Sequence, residues 1–205
     1  MPNGALYIVR HGSTALNSPE DERIRGWADV PLSSEGVLEA RHAARAVQPY
    51  VPTQLLTSDL RRAHDTARIM SVTLALTPSP TRQLRPWHLG IFTGQPIAEV
   101  KDAIHQYMTE KKTQVPMGGE SFAAFLQRWK AELHRLLDLV HRTDQPIVIV
   151  THARNLYALE PILFGEAMPV KGPPHPGAVV LLAGKKGDIR GRILHEGRAA
   201  IGMVS

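Results

Sequence analysis

Three features of the sequence predict an α/β fold: a three-layer sandwich with a mostly parallel central sheet, one antiparallel edge and helices on both faces. The first is a set of short aliphatic runs, Leu6-Tyr7-Ile8-Val9, Ile147-Val148-Ile149-Val150 and Val179-Val180-Leu181-Leu182, with the length and continuity of strands buried on both sides. The second is the helical spacing of apolar residues between these runs. The third is continuity. No repeat, low-complexity tract or Ser/Gly linker divides the 205 residues, so 1–205 reads as a single domain.

Taken in order, the Leu6 run supplies the first strand. A helix is expected over 34–47, where Ser33-Ser34-Glu35-Gly36 offers an N-cap hydroxyl. Leu55-Leu56-Thr57-Ser58 follows as a strand and 60–74 as a helix. The segment 95–117 is polar and flanked by Pro96 and Pro116, which makes it a short excursion above the sheet. A long helix over 121–140 follows Gly118-Gly119-Glu120-Ser121. It carries Phe122, Phe125, Leu126, Trp129, Leu133, Leu136, Leu137 and Val140 on one stripe, a core face before it is anything else. The Ile147 run is the next strand. Beyond it, Lys185-Lys186-Gly187-Asp188 separates the Val179 run from 189–194 and reads as a hairpin turn, which makes the sheet antiparallel at that edge.

Composition removes several classes of function. Charged residues are 21% of the chain and apolar residues 43%, ordinary globular values, so disorder and fibrous architectures fall away. With no cysteine, disulfides, Cys-ligated zinc, iron–sulfur clusters and thiol nucleophiles are excluded. The longest apolar run, 178–183, is six residues, against the roughly 20 that span a bilayer. Met1-Pro2-Asn3-Gly4 has no basic region and 5–9 is too short for a signal core, so the expectation is a cytoplasmic protein with no membrane partner. The pI near 9.7 rests on a net charge of +5 from scattered residues, with no aromatic-plus-basic stacking pattern, which argues against a nucleic-acid partner. The oligomeric state is left open, a homodimer included.

The chemistry gathers after the strands. Arg10-His11-Gly12 follows the first, Asp59-Leu60-Arg61-Arg62 the second and His152-Ala153-Arg154 the Ile147 run. In an open parallel sheet the carboxyl ends of strands share one crevice. Arg10, Arg62, His11 and His152 there would form an anion site, with forked guanidinium donors and imidazoles able to exchange protons near neutrality. Arg61, on the other side of its helix, reads as a solvated charge.

The motif Arg10-His11-Gly12-Ser13-Thr14-x-x-Asn17 resembles the signature of the histidine phosphatase superfamily, which includes cofactor-dependent phosphoglycerate mutase. Four further blocks follow in family order: Arg23-x-Arg25-Gly26-Trp27-x-Asp29-x-Pro31-Leu32-Ser33-x-x-Gly36, Ser58-x-Leu60-x-Arg62-Ala63-x-x-Thr66-Ala67, Gly118-Gly119-Glu120-Ser121 and Val150-Thr151-His152. The resemblance spans about 5–183 and implies a phosphoglycerate mutase-like fold. It also implies His11 as a nucleophile forming phosphohistidine, with Arg10, Arg62 and His152 around the transferring group. Asn17, Gly12, Arg25 and Gly26 would border a small phosphorylated substrate. No cofactor and no metal are implied, and the sequence has no His-Glu-x-x-His pattern.

Two departures stand out. Family members carry a proton-donating Glu in a Leu-x-Glu-x-x-x-Gly context; here that stretch is Leu84-Arg85-Pro86-Trp87-His88-Leu89-Gly90, with Pro86 at the acid position. The other branch uses an Asp after the second histidine, where this chain has Ala153. Three readings stay open: a displaced acid such as Glu120, His88, Glu99 or Asp102, an enzyme confined to good leaving groups, or a phospho-ligand binding protein with weak turnover. A phosphoglycerate mutase-type phosphotransferase is a further alternative, but the resembled mutases carry a longer insertion than 95–117, which favours a phosphoric monoester hydrolase. Lys101, Lys111 and Lys112 would favour an anionic substrate if they faced the pocket.

Overall fold

The computed structural model describes residues 4–17, 21–164, 174–185 and 188–197. Lys186 and Gly187 of the expected turn, and the N-terminal residues Met1 to Asn3, lie outside them. The strands are β1 (Leu6–Arg10), β2 (Gln54–Ser58), β3 (Pro78–Thr81), β4 (Ile147–Thr151), β5 (Val179–Lys185) and β6 (Asp188–His195). The helices are α1 (Ser34–Val47), α2 (Arg61–Leu74), α3 (Ile97–Thr109), α4 (Phe122–Thr143) and α5 (Ala153–Tyr157). The strands form one sheet in the order β3-β2-β4-β1-β5-β6. The β1/β4, β2/β4 and β2/β3 pairs are parallel, and β1/β5 and β5/β6 antiparallel, the mixed edge that the hairpin predicted.

Period-two alternation builds the three layers. Leu6, Ile8, Ile147, Ile149, Val180 and Leu182 point to the face covered by α4, where Phe125, Trp129, Leu133, Leu136 and Val140 pack on them. Tyr7, Val9, Val148, Val150, Val179 and Leu181 point to the other face, against Ala43, Ala44 and Val47 of α1 and Ala63, Ala67 and Met70 of α2. Strands this apolar on both sides can only be central. Trp129 is fully buried and donates its indole N–H to the Asn155 carbonyl at 2.9 Å, so the stripe on α4 is core, as expected.

The cap expected at Ser33 is present, and a second one stands at Ser121, which the sequence reading places inside its helix. Ser33 accepts from the Gly36 amide at the start of α1, and Ser121 from the Ala124 amide at the start of α4. Two elements differ from the sequence reading. The first, β3, contains Pro78 and Pro80 and was not foreseen. It lies at the sheet edge, and prolines two residues apart fall on the same side of a strand, so the missing N–H groups can all face away from β2. The second is α3, which occupies much of the polar excursion. It buries Val100 and Ile104 and packs Tyr107 and Met108 against the α4-side core. Among the described residues no helix is long and apolar enough to cross a membrane.

Candidate active site

β1, β2 and β4 are adjacent and parallel, so their carboxyl ends open on one side of the sheet. There they border a cavity of about 870 Å³ lined by Arg10, His11, Arg62 and His152. The strand-end register holds the first histidine: the His11 amide donates to Thr151 O at 2.9 Å. The next turn is a contact between backbones. A Cβ on Gly12 would lie 2.3 Å from Gly36 O and one on Gly36 would lie 2.2 Å from Ser13 O, so the start of α1 reaches this loop only because both residues are glycine.

The hydrogen bonds of His11 define its tautomer. Gly12 O, which can only accept, lies 2.7 Å from Nδ1, so Nδ1 carries the proton. Arg62 Nε, which can only donate, lies 3.2 Å from Nε2, so that nitrogen presents its lone pair. Burial first, then the positive charges of Arg62 and Arg10, hold the His11 pKa well below the ordinary histidine range. The imidazole is therefore neutral at pH 7.

The second histidine packs beside the first, ring centroids 5.0 Å apart, with its Nε2 2.9 Å from Ser58 Oγ. It too is held well below the ordinary range by burial and then by Arg62. His152 Nδ1 and Arg10 Nε are buried without a protein hydrogen-bond partner.

Arg62 stands on the first turn of α2 and is anchored on the loop that leads into α1. Its Nη1 donates to Ala28 O at 2.7 Å and its Nη2 to Gly26 O at 2.8 Å. That loop also caps α2, since Asp29 Oδ1 accepts from the Arg61 amide at 2.8 Å. Arg10 donates to Pro174 O. Burial, then Arg25, lowers the Arg62 pKa to about 9 and the Arg10 pKa to about 10, so both remain cationic at neutrality. Arg61 points elsewhere, its exposed side chain 3.6 Å from Asp65.

The other expected residues divide. Asn17, Arg25 and Gly26 line the cavity. The Asn17 Oδ1 accepts from the Thr14 amide and hydroxyl, turning its amide nitrogen away from Thr14. The Gly12 amide, by contrast, donates to Thr66 Oγ1 at 3.1 Å, and the Ser13 amide to Glu39 at 2.6 Å, so neither N–H is available to a phosphate.

Glu120 and His88 do not line the cavity. Glu120 pairs with Arg128 at 2.7 Å and accepts from the His88 amide at 3.0 Å, while the His88 ring packs on Trp27. Glu99, Asp102, Lys101, Lys111 and Lys112 are likewise absent from its wall. Pro86 is on the wall, and Trp27 seals it from behind. The indole donates to Pro86 O at 2.8 Å and stacks under Arg85, itself paired with Asp59 at 2.6 and 2.7 Å.

Arg154, which the sequence places after the Ile147 run with His152, lines the cavity, and so do four residues that the sequence reading missed: Glu22, Glu35, Tyr157 and His175. Tyr157 follows His152 on the short helix α5 and could have been inferred from that position. Nothing in the local sequence marks Glu22. Among the described residues no three His, Asp or Glu side chains gather to hold a metal ion.

The geometry has counterparts in known proteins. The chain is 30% identical over 165 residues to the probable phosphoglycerate mutase GpmB of Yersinia pestis, covering 78% of this chain and 74% of that one. Its fold matches a mycobacterial glucosyl-3-phosphoglycerate phosphatase in complex with VO3, with a TM-score of 0.74, 28% identity and coverage of 93% and 96% of the two chains. A phosphoglycerate mutase of Thermus thermophilus matches with a TM-score of 0.68, 27% identity and coverage of 95% and 98%. Residues 6–170, which carry Arg10, His11, Arg62 and His152, match the branch 1 family as a whole, and the chain belongs to the histidine phosphatase superfamily.

Proposed function

We propose that this protein is a phosphatase that hydrolyses phosphate monoesters through a phosphohistidine at His11, without a metal ion. One observation carries the reading: a buried, neutral imidazole on the wall of a cavity ringed by cations, with its proton fixed on Nδ1 and its unprotonated Nε2 held only by a hydrogen bond from Arg62 Nε, which gives way as Nε2 attacks. Nε2 attacks phosphorus, the bond to the leaving oxygen breaks, and the Nδ1–H stays on Gly12 O as positive charge develops on the ring. Arg62, Arg10 and the His152 Nδ1 supply donors to the phosphoryl oxygens; held by main-chain carbonyls and Ser58, they need little reorganisation as charge moves. Water then displaces phosphate from His11.

The likeness to a mycobacterial phosphatase crystallised with VO3, a stand-in for a transferring phosphoryl group, supports hydrolysis. A second reading, a phospho-ligand binding protein with weak turnover, draws on Pro86 occupying the cavity wall where the family has its acid.

The test is steady-state hydrolysis of monoesters whose leaving groups run from acidic phenols to simple alcohols, with chelator present. Turnover that disappears in His11→Ala, with acid-labile, base-stable labelling of the wild-type protein, is the expected result. Unchanged hydrolysis in His11→Ala would sink the phosphohistidine. Phosphate binding without turnover of any substrate would establish the second reading.

A further inference from the structure

A leaving alkoxide needs a proton, and Pro86 has none to give. Behind it Glu120 and His88 are engaged with Arg128, Trp27 and each other. Two carboxylates line the cavity, Glu22 and Glu35. Glu35 stands exposed on the first turn of α1, where a carboxylate favours the helix dipole. Glu22 has a different setting. Its backbone carbonyl accepts from the Ile97 amide at 2.9 Å, at the first residue of α3. Two residues on, Ile24 N donates to Gln95 O at 2.9 Å and Gly94 N to Ile24 O at 2.7 Å, so the loop is laced to the entry of α3. The excursion thereby fixes one acid at the cavity mouth.

We propose that Glu22 is the general acid and base of the reaction, taking the role that Pro86 cannot fill. The assignment rests on the phosphatase reading above. The carboxylate is close enough to Arg10 and Tyr157 to perturb both electrostatically, which puts it at the strand-end side of the cavity. Its ion pair with Arg25 is a long 3.4 Å, and its side chain is 45% exposed, so the pair exchanges readily. A phosphate dianion entering the site competes for Arg25 and sets negative charge beside Glu22.

In the first step His11 Nε2 forms a bond to phosphorus as the phosphorus–oxygen bond breaks, and Glu22 transfers its proton to the departing oxygen, releasing an alcohol. In the second step Glu22 carboxylate takes a proton from water as that water attacks phosphorus and the phosphorus–nitrogen bond breaks. Inorganic phosphate leaves, and His11 and Glu22 return to their starting protonation states. Water is the one co-reactant.

Glu22→Gln tests this, with Glu99→Gln, on the outer surface of α3, as the control. On an alkyl monoester the Glu22→Gln turnover should fall by about 10²–10⁴, the usual worth of a general acid. On an aryl monoester with an acidic phenol it should change little, and the leaving-group dependence should steepen. The wild-type pH–rate profile for the alkyl ester should lose its alkaline limb in the variant. Equal losses on both substrates would show that Glu22 acts through Arg25 on binding and would overturn the assignment. Equal activity of wild type and Glu22→Gln on every ester would do the same, as would a wild type that hydrolyses only activated esters. In all three cases His11-dependent turnover survives, and the phosphatase reading with it. Absence of His11-dependent turnover in the wild type would refute both.

Discussion

Replacing Arg62 by Ala separates the contributions of this guanidinium to fold and to chemistry. Arg62 is 1% exposed and donates to Ala28 O, Gly26 O and His11 Nε2. Truncation leaves two carbonyls without a partner, at about 1–3 kcal/mol each if water does not reach them. Removing the charge also relieves its repulsion by Arg25 and Arg10, so the net loss should lie near the low end, about 2 kcal/mol. The catalytic loss should be larger. A preorganised donor to a developing oxyanion is worth about 10²–10³ in rate, or about 2.7–4 kcal/mol. Arg61→Ala, one residue away, deletes only an exposed pair with Asp65 at 3.6 Å, worth about 0.3–0.5 kcal/mol. The Asp29 cap on the residue 61 amide survives that change. Urea denaturation and kcat/KM for an aryl phosphate, measured on both variants, give the comparison. Comparable losses of activity in the two, or a full rate in Arg62→Ala, would refute the placement of Arg62 over His11.

Acid should loosen the fold through the two buried imidazoles. Both are held well below the ordinary range, by burial and then Arg62, whereas in the unfolded chain they protonate near 6.5. The unfolded state thus binds more protons as pH falls below about 6.5, and each imidazole removes up to about 1.4 kcal/mol of stability per pH unit until its native pKa is reached. The urea midpoint should drop steadily from about pH 6.5 to 5; a flat midpoint would contradict the assignment. Gly36→Ala sets two effects of opposite sign against each other. Helix propensity alone favours Ala by about 1 kcal/mol. The new Cβ, 2.2 Å from Ser13 O, forces backbone apart and should reverse the sign, with a net loss of about 1–3 kcal/mol and weaker phosphate binding by calorimetry. A stabilised Gly36→Ala with unchanged affinity would show that the two loops separate freely.

Much of this architecture was legible because a few residues each permit one reading. Runs such as Ile147-Val148-Ile149-Val150 have no polar side and can only be buried on both faces, and Ser33 announces the helix that it caps. The cluster of Arg10, His11, Arg62 and His152 followed from strand ends that share one direction. What escaped notice was decided by long-range packing. Pro78 and Pro80 weaken any strand assignment unless the strand is known to be an edge. The spacing of Val100, Ile104, Tyr107 and Met108 was a helical signal within a segment whose polarity concealed it. Glu120 looked available because its partner Arg128 lies two turns along α4. Glu22 looked unremarkable because its place depends on backbone bonds to residues more than 70 positions away.

Protonation in the site is divided between two kinds of group that share one desolvated space. Burial disfavours every cation there, but the guanidinium groups begin so high that Arg62 and Arg10 fall only to about 9 and 10, while His11 and His152 lose their charge altogether. At neutral pH His11 is therefore uncharged while Arg62 and Arg10 are cationic, with the His11 proton on Nδ1 against the Gly12 carbonyl and Nε2 accepting from Arg62 Nε. A carboxylic acid set into the same floor would lie among those cations and be held deprotonated, a poor state from which to donate. Glu22, on a rim loop, is instead partly solvated and holds only one long ion pair, with Arg25 at 3.4 Å. The floor requires Arg10, His11, Arg62 and His152 together, whereas the position of the acid depends on which loop borders the mouth. On the proposed assignment of Glu22, that separation lets Pro86 stand at the donor position while the rest of the constellation stays in place.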